Sequence, residues 1–409
     1  MRHYETIARH KSIIYTIGLI NFLFTLHLAI TAYVDSSYLS LFTSQDFIGE
    51  IYMAVGAVTI LAFFLIYRIL KKFGDYATST GLILLDALTL LGVIWGGWFW
   101  LIAVSFVLNM AIVALISFTD DVFLETYTDT AHTGGVRGFF LTLTNGAWIL
   151  SPLLAGMLIY NHVYSRVYIA ALLLLAPVLY LVHKNLHHFH DSAYEAPSAW
   201  TTLREIARLP DIWKLCIVNI ILQTFYAWMV IYLPLYLANQ IGFDWSSIGI
   251  ILTIMLVPFV LIQLPFGRLA DERYGEKTLM GIGFAIMGLS TIVLAFVGVQ
   301  SLIVWAGALF VTRIGAALAE VMIETYFFKK IPARDSNILS VFRMTRQVPY
   351  FLAPILTGVG LFFTSNAGLF FILGVVCLAA IGVIVFIRDV SPLVAIDKER
   401  KMTATGKLP

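Results

Sequence analysis

The sequence predicts an all-α membrane protein: twelve transmembrane helices in two pseudo-symmetric six-helix bundles. Three observations predict it. The chain is 60% hydrophobic and only 12% charged, well below the roughly 25% charged residues of an average soluble domain. Apolar runs of spanning length recur from one end to the other. The second half also repeats the first at an offset of about two hundred residues, the mark of a duplicated unit.

The runs are Ile13–Val34, Phe47–Ile69, Thr78–Val93, Phe99–Phe118, Gly138–Tyr160, Val167–Val182, Leu215–Leu237, Ile248–Leu264, Leu279–Val297, Leu302–Tyr326, Ile338–Phe363 and Gly368–Ile387. The third and sixth are short and are expected to extend into their flanks. No small-residue cleavage site follows the first run, which therefore reads as an uncleaved span. Of the 26 Lys and Arg residues, Arg166 alone falls in an outer loop. Arg313, Arg343 and Arg346 fall well inside spans, and all the others gather in inner segments or, for Arg68, at the inner end of a span. That bias places both termini in the cytoplasm. The expected organisation is an N-terminal bundle (1–184), a cytoplasmic linker (185–213), a C-terminal bundle (214–388) and a cytoplasmic tail (389–409).

In the linker, Trp200, Leu203, Ile206 and Ala207 share one helical face, and Thr202 and Glu205 have capping-box spacing. An amphipathic helix on the inner membrane surface fits. His183, His187, His188 and His190 cluster just before it, but no carboxylate or Cys stands at ligand spacing, so the segment reads as a solvated linker rather than a metal site. Cys216 and Cys377 lie in apolar runs and imply neither a disulfide framework nor a thiolate metal site. The basic residues are dispersed among loops, which argues against nucleic acid. No nucleophile–base or metal constellation is visible, so no enzyme, cofactor or metal is expected. No Gly-x-x-x-x-Gly-Lys loop is present, which argues against an ATP-driven pump.

The repeat is legible in four places. Ile48-Gly49 corresponds to Ile248-Gly249, and Phe73-Gly74 to Tyr274-Gly275. Asp121-Val122-Phe123-Leu124-Glu125-Thr126-Tyr127 corresponds to Glu320-Val321-Met322-Ile323-Glu324-Thr325-Tyr326. Leu150-Ser151-Pro152-Leu153-Leu154-Ala155-Gly156 corresponds to Leu352-Ala353-Pro354-Ile355-Leu356-Thr357-Gly358. Four such pairs in one order are not expected by chance.

Between the eighth and ninth runs lies Pro265-Phe266-Gly267-Arg268-Leu269-Ala270-Asp271-Glu272-Arg273-Tyr274-Gly275-Glu276-Lys277. Its pattern Gly-x-Leu-Ala-Asp-x-x-x-Gly-x-Lys resembles the loop between the second and third helices of each half in the major facilitator superfamily. Gly146 with Ser151, Pro152 and Gly156 resembles, in part, the Gly-Pro motif of that superfamily's fifth helix, best known from proton-driven antiporters. Arg313 followed by Gly315 looks like its mid-helix Arg, here in the tenth helix rather than the fourth. The first-half loop departs from the pattern, with Lys71 where the Asp belongs. The resemblance covers essentially the whole chain. It implies a secondary transporter working by alternating access, with Gly267, Asp271, Arg273 and Gly275 forming a cytoplasmic gate loop near Arg137 at the fifth helix.

An ionisable group at mid-bilayer costs about 2.5–3.5 kcal/mol on insertion scales, so such groups usually face a partner or a cavity. Asp121 and Glu125 are four apart and share a helix face, as do Glu320 and Glu324. Like charges at that spacing repel, and a proton on one relieves the repulsion. The pairs therefore read either as proton carriers or as ion-pair gates near the inner helix ends. Arg343, Arg346 and Gln347 suggest an interhelical charge network with the tenth-helix carboxylates, or a clamp for an anionic solute. In the resembled fold the first, fourth, seventh and tenth helices surround the cavity. Asn21, Thr25 and His27, Gln223, Tyr226 and Trp228, and Arg313 are its candidate lining. Asp86, in the third span, needs a partner that the sequence does not name.

The expected function is secondary transport of a small solute, proton-coupled, with a lean toward efflux of amphipathic compounds. Uptake of a sugar or organic anion is the alternative, and a non-transporting sensor or scaffold of the same fold is an alternative of another class. The compact loops suggest a bacterial inner membrane, and a monomer is expected.

Overall fold

The structure, a computed structural model, describes residues 2–127, 133–159, 163–187, 204, 206–269, 275–331 and 336–388. Among them every regular element is helical. The predicted spans appear as α1 (Arg2–Ala32), α3 (Gln45–Phe73), α4 (Asp75–Trp95), α5 (Phe99–Tyr127), α6 (Thr133–Leu158) and α7 (Ser165–Leu186) in the first half. A short α2 (Asp35–Leu39) follows α1. The second half holds α8 (Pro210–Ile231), a short α9 (Leu233–Tyr236) with a π-helical extension (Leu237–Ile241), α10 (Trp245–Leu269), α11 (Glu276–Leu294), α12 (Leu302–Lys330), α13 (Ser336–Met344), α14 (Pro349–Leu361) and α15 (Gly368–Ile384). Nine helices among the described residues are long and apolar enough to cross a membrane. The fifth segment α6, the broken pair α13–α14 and the shorter α15 complete the twelve.

The helices turn their polarity inward. In α4, Asp86 is fully buried, whereas Leu88 is 63% exposed and Trp95 at the outer end 81% exposed. A soluble helix would do the reverse; lipid accepts apolar surface and rejects an unpaired carboxylate. Trp98 and Trp100, exposed where α5 begins, continue an aromatic belt of the kind found at a membrane interface. The third and sixth spans do extend beyond their apolar runs, to 75–95 and 165–186.

Two spans are less regular than their hydropathy predicts. The seventh breaks at Tyr232, because Pro234 cannot donate a helical hydrogen bond to the preceding turn. The eleventh is not one helix over Ile338–Phe363. It divides into α13 and α14 at residues 345–348, a stretch closed by short-range bonds from Arg346 N to the Arg343 carbonyl and from Gln347 N to the Met344 carbonyl. Pro349 begins the second piece, at a position where the missing N–H does no harm. By contrast α10 runs unbroken through Pro258 and Pro265.

Two compact units result. One comprises Met1–Ala196 and Met229–Thr253; the other comprises Pro197–Trp228 and Ile254–Pro409. In the first, α1 packs on α6 and α7, α4 packs on α5 and α7, and α9 packs on α2. In the second, α11 packs along α12 and α15. It crosses α15 at Gly288 and Gly374, where a Cβ on Gly374 would lie 2.6 Å from the Gly288 carbonyl oxygen. Without a hydrophobic drive between helices in lipid, such small-residue seams let backbones touch and gain dispersion.

The repeat is visible in backbone geometry. Gly74 (φ 77, ψ 169) precedes α4 and Gly275 (φ 73, ψ 154) precedes α11, and both are followed by a buried acid, Asp75 or Glu276. That backbone region is essentially closed to residues with a Cβ. Gly275→Ala is therefore expected to lower stability by about 1–3 kcal/mol. Gly281→Ala in mid-helix, where a Cβ meets nothing within 4 Å, is expected to be neutral or slightly stabilising. Thermal unfolding in detergent compares the two.

Candidate functional site

In the first unit His27, Asp86, Asn109 and Thr89 form one buried polar network. His27 in α1 sits 3.0 Å (Nε2 to Oδ2) from Asp86 in α4, and its Nδ1 lies 2.9 Å from the Ala171 carbonyl oxygen in α7. Asn109 in α5 donates to Asp86 Oδ1 at 2.5 Å and to Thr89 Oγ1 at 3.2 Å. A carbonyl oxygen only accepts, so His27 Nδ1 carries a proton. At 3.0 Å in a buried place, Nε2 and Oδ2 are within ion-pair distance. Asp86 thus has its partner, and His27 is turned to α4 and α7 with 2% exposure. Asn21 donates to Thr144 Oγ1 of α6 at 2.9 Å, and Thr25 is buried.

The fifth-helix motif has a physical role in the same unit. A Cβ on Gly156 would lie 2.8 Å from the Trp245 carbonyl oxygen, and one on Gly249 would lie 2.6 Å from the Pro152 carbonyl oxygen. Two glycines therefore permit α6 and α10 to cross at backbone contact. Beside the crossing, Trp245 Nε1 donates to Tyr164 Oη at 2.8 Å. Ser151 is buried and returns a bond to the Trp148 carbonyl, while a Cβ on Gly146 would meet nothing within 4 Å.

In the second unit the charges of α12 gather against α8 and the α13–α14 break. Arg313 is 1% exposed. Its guanidinium carbon lies 4.9 Å from the Phe225 ring centroid and 5.4 Å from that of Tyr226, both within cation–π range. Tyr226 Oη donates to the Ala316 carbonyl at 3.3 Å and reaches Glu320 Oε2 at 3.5 Å. Glu320 interacts electrostatically with Arg346, Glu324 and Arg313. One turn on, Glu324 Oε1 accepts from Arg346 Nη2 at 2.9 Å, a contact that is partly exposed on both sides. Asn219 of α8 donates to Thr345 Oγ1 at 2.8 Å and so ties α8 to the break. Arg343, just before the break, and Gln347, within it, are half-buried, as is Gln223 on α8. Trp228 is spent on packing: its indole N–H donates to Thr357 Oγ1 at 3.0 Å and its ring meets Phe370 edge-on.

Near the inner ends, Lys329 pairs with the fully buried Glu276 and Lys330 lies 3.7 Å from Asp211. Lys214 and Lys277 donate to the Phe386 and Val385 carbonyls just past α15. Cations at a helix C-terminus satisfy carbonyls that the helix itself leaves open.

Asp271 and Arg273 of the gate loop lie outside the described residues, as do His188, His190 and most of the linker. The side chains of Asp121, Glu125 and Arg137, and the surroundings of Gly267, lie outside them too. Three participants escaped sequence reasoning. Phe225 and Asn109 sit in apolar runs, where one aromatic ring or amide gives little signal. Asp35 stands one residue past the first span, where hydropathy gives no signal, and it is 2% exposed.

Twelve apolar segments in a repeated pattern, with charges held inside helix bundles, define a polytopic membrane protein. The family model described as Major Facilitator Superfamily matches residues 12–251 and again 215–408. The chain belongs to that superfamily and is a secondary transporter. No curated protein gives a significant match to the chain.

Proposed function

We propose that the protein couples movement of a small amphipathic solute to the proton gradient, with a lean toward export, in a bacterial inner membrane with both termini cytoplasmic. The observation that carries this reading is the cluster of Arg313, Phe225, Tyr226 and Glu320. A carboxylate within reach of a tyrosine hydroxyl and two arginines is suited to gain and lose a proton, because each protonation state has a partner. Arg346 is already engaged by Glu324, which leaves Glu320 as the more apt carrier of the two. The aromatic faces beside Arg313 suit an apolar ring or chain. The partial fifth-helix motif supports the export direction. Arg313 also favours a second reading, an organic anion as the solute, since a guanidinium matches a carboxylate in a bidentate fork.

The test is flux in proteoliposomes under an imposed pH gradient, with a panel of cationic dyes, sugars and organic anions. Wild-type flux of one class is expected to follow the gradient. In Glu320→Gln, exchange of that solute at equal concentrations is expected to persist while gradient-driven accumulation is lost. Undiminished accumulation in the variant would remove Glu320 from the coupling mechanism.

A further inference from the structure

We propose that Asp35 is a second proton-binding site, whose proton holds α9 packed against α2. This goes beyond the coupling role of Glu320 and does not depend on it. Asp35 opens α2, just past the first span, and is buried with Ser36, Ser37, Tyr38 and Leu39. Among the described residues its one hydrogen bond comes from Tyr168 Oη of α7, at 2.7 Å to Oδ1.

Among the described residues, the groups around it are tyrosines, not cations. Tyr38, on its own helix, gives its hydroxyl to the Val93 carbonyl at 2.7 Å, and its ring centroid lies 4.8 Å from that of Tyr168. Tyr52 of α3 meets Ser36 Oγ at 3.2 Å, and Tyr164 lies edge-on to Tyr38. The short α9, which packs on α2, carries the buried Leu233, Pro234 and Leu235, and its one titratable side chain is Tyr236. The neighbouring charged residues in sequence, Arg166 before Tyr168 and Glu50 before Tyr52, are exposed.

A carboxylate buried with a single donor and no cation among the described residues is poorly compensated, whereas the neutral acid needs little more than that one bond. Burial pushes Asp35 up to about 7, against a smaller downward pull from the Tyr168 hydroxyl. Opening the α2–α9 packing returns the carboxyl to water and to its ordinary value near 3.8. The packed form therefore binds more protons than the open form between pH 4 and 7. Packing must weaken as pH rises through that window, by up to about tenfold in the open-to-packed ratio per pH unit, and level off above it.

Hydrogen exchange followed by mass spectrometry on substrate-free protein tests this, with rates corrected for intrinsic chemistry, at pH 5, 6, 7 and 8. In wild type, protection of residues 35–42 and 233–241 is expected to fall steeply from pH 5 to 7 and to flatten by pH 8. In Asp35→Asn it is expected to stay high and independent of pH. Tyr168→Phe removes the one donor to the carboxylate, so its transition is expected to move to higher pH. A pH-independent wild type, or the same transition in Asp35→Asn, would overturn the proposal. Neither readout needs a transported solute, so this result stands apart from the flux experiment on Glu320.

Discussion

Asp86→Ala is expected to cost about 3–5 kcal/mol of stability, the loss typical when one partner of a buried ion pair is removed. It strands His27 opposite an empty space and leaves the Asn109 amide without its main acceptor. Three helices lose their tie at once, because His27 is in α1, Asp86 in α4 and Asn109 in α5. Asp86→Asn separates charge from hydrogen bonding. Its amide N–H can donate to His27 Nε2 and its oxygen can still accept from Asn109. The cost expected for Asn is therefore one altered hydrogen bond, about 0.5–1.5 kcal/mol. Thermal unfolding in detergent, read beside the His27→Ala and double variants, measures this. The double variant is expected to lose less than the sum of the two single changes, since they break one shared contact. Additive losses, or wild-type stability in Asp86→Ala, would show that the pair contributes no coupling.

Arg313→Ala is expected to reduce gradient-driven flux by at least about 30-fold. Truncating one member of a buried charge contact costs about 2–5 kcal/mol, and about 1.4 kcal/mol is tenfold in an equilibrium. Arg313 is buried between Phe225 and Tyr226, so no water replaces the lost cation cheaply. Arg313→Lys keeps the charge but loses the planar face that stacks on both rings, and intermediate flux is expected. If the solute is an organic anion, the Ala variant loses affinity as well as turnover, which binding to purified protein reads directly. Equal flux in wild type and Arg313→Ala, at equal amounts of folded protein, would make Arg313 a structural cation only.

Both variants probe contacts between helices far apart in sequence, and there the reach of the sequence ended. The membrane class, the spans, the duplicated half and the superfamily were legible in the chain itself. Crossing about 30 Å of hydrocarbon demands a long apolar helix, and duplication leaves matching motifs such as Phe73-Gly74 and Tyr274-Gly275. The mid-span charges were legible as anomalies for the same reason, as Asp86 and Arg313 show. Their partners were not. Whether His27 lines a cavity or meets Asp86 depends on how α1 is rotated against α4 and α7, and hydropathy carries no information about rotation. Asp35 gave no signal, because composition cannot tell that Tyr168 of α7 bonds it in a buried place. Gly156 and Gly249 were each visible as glycines, but only the crossing of α6 on α10 shows that each makes room for the other. The sequence by itself determined which segments enter the lipid. Tertiary packing alone decided which buried polar groups meet, because that choice is made by side chains from different helices competing for the same enclosed space.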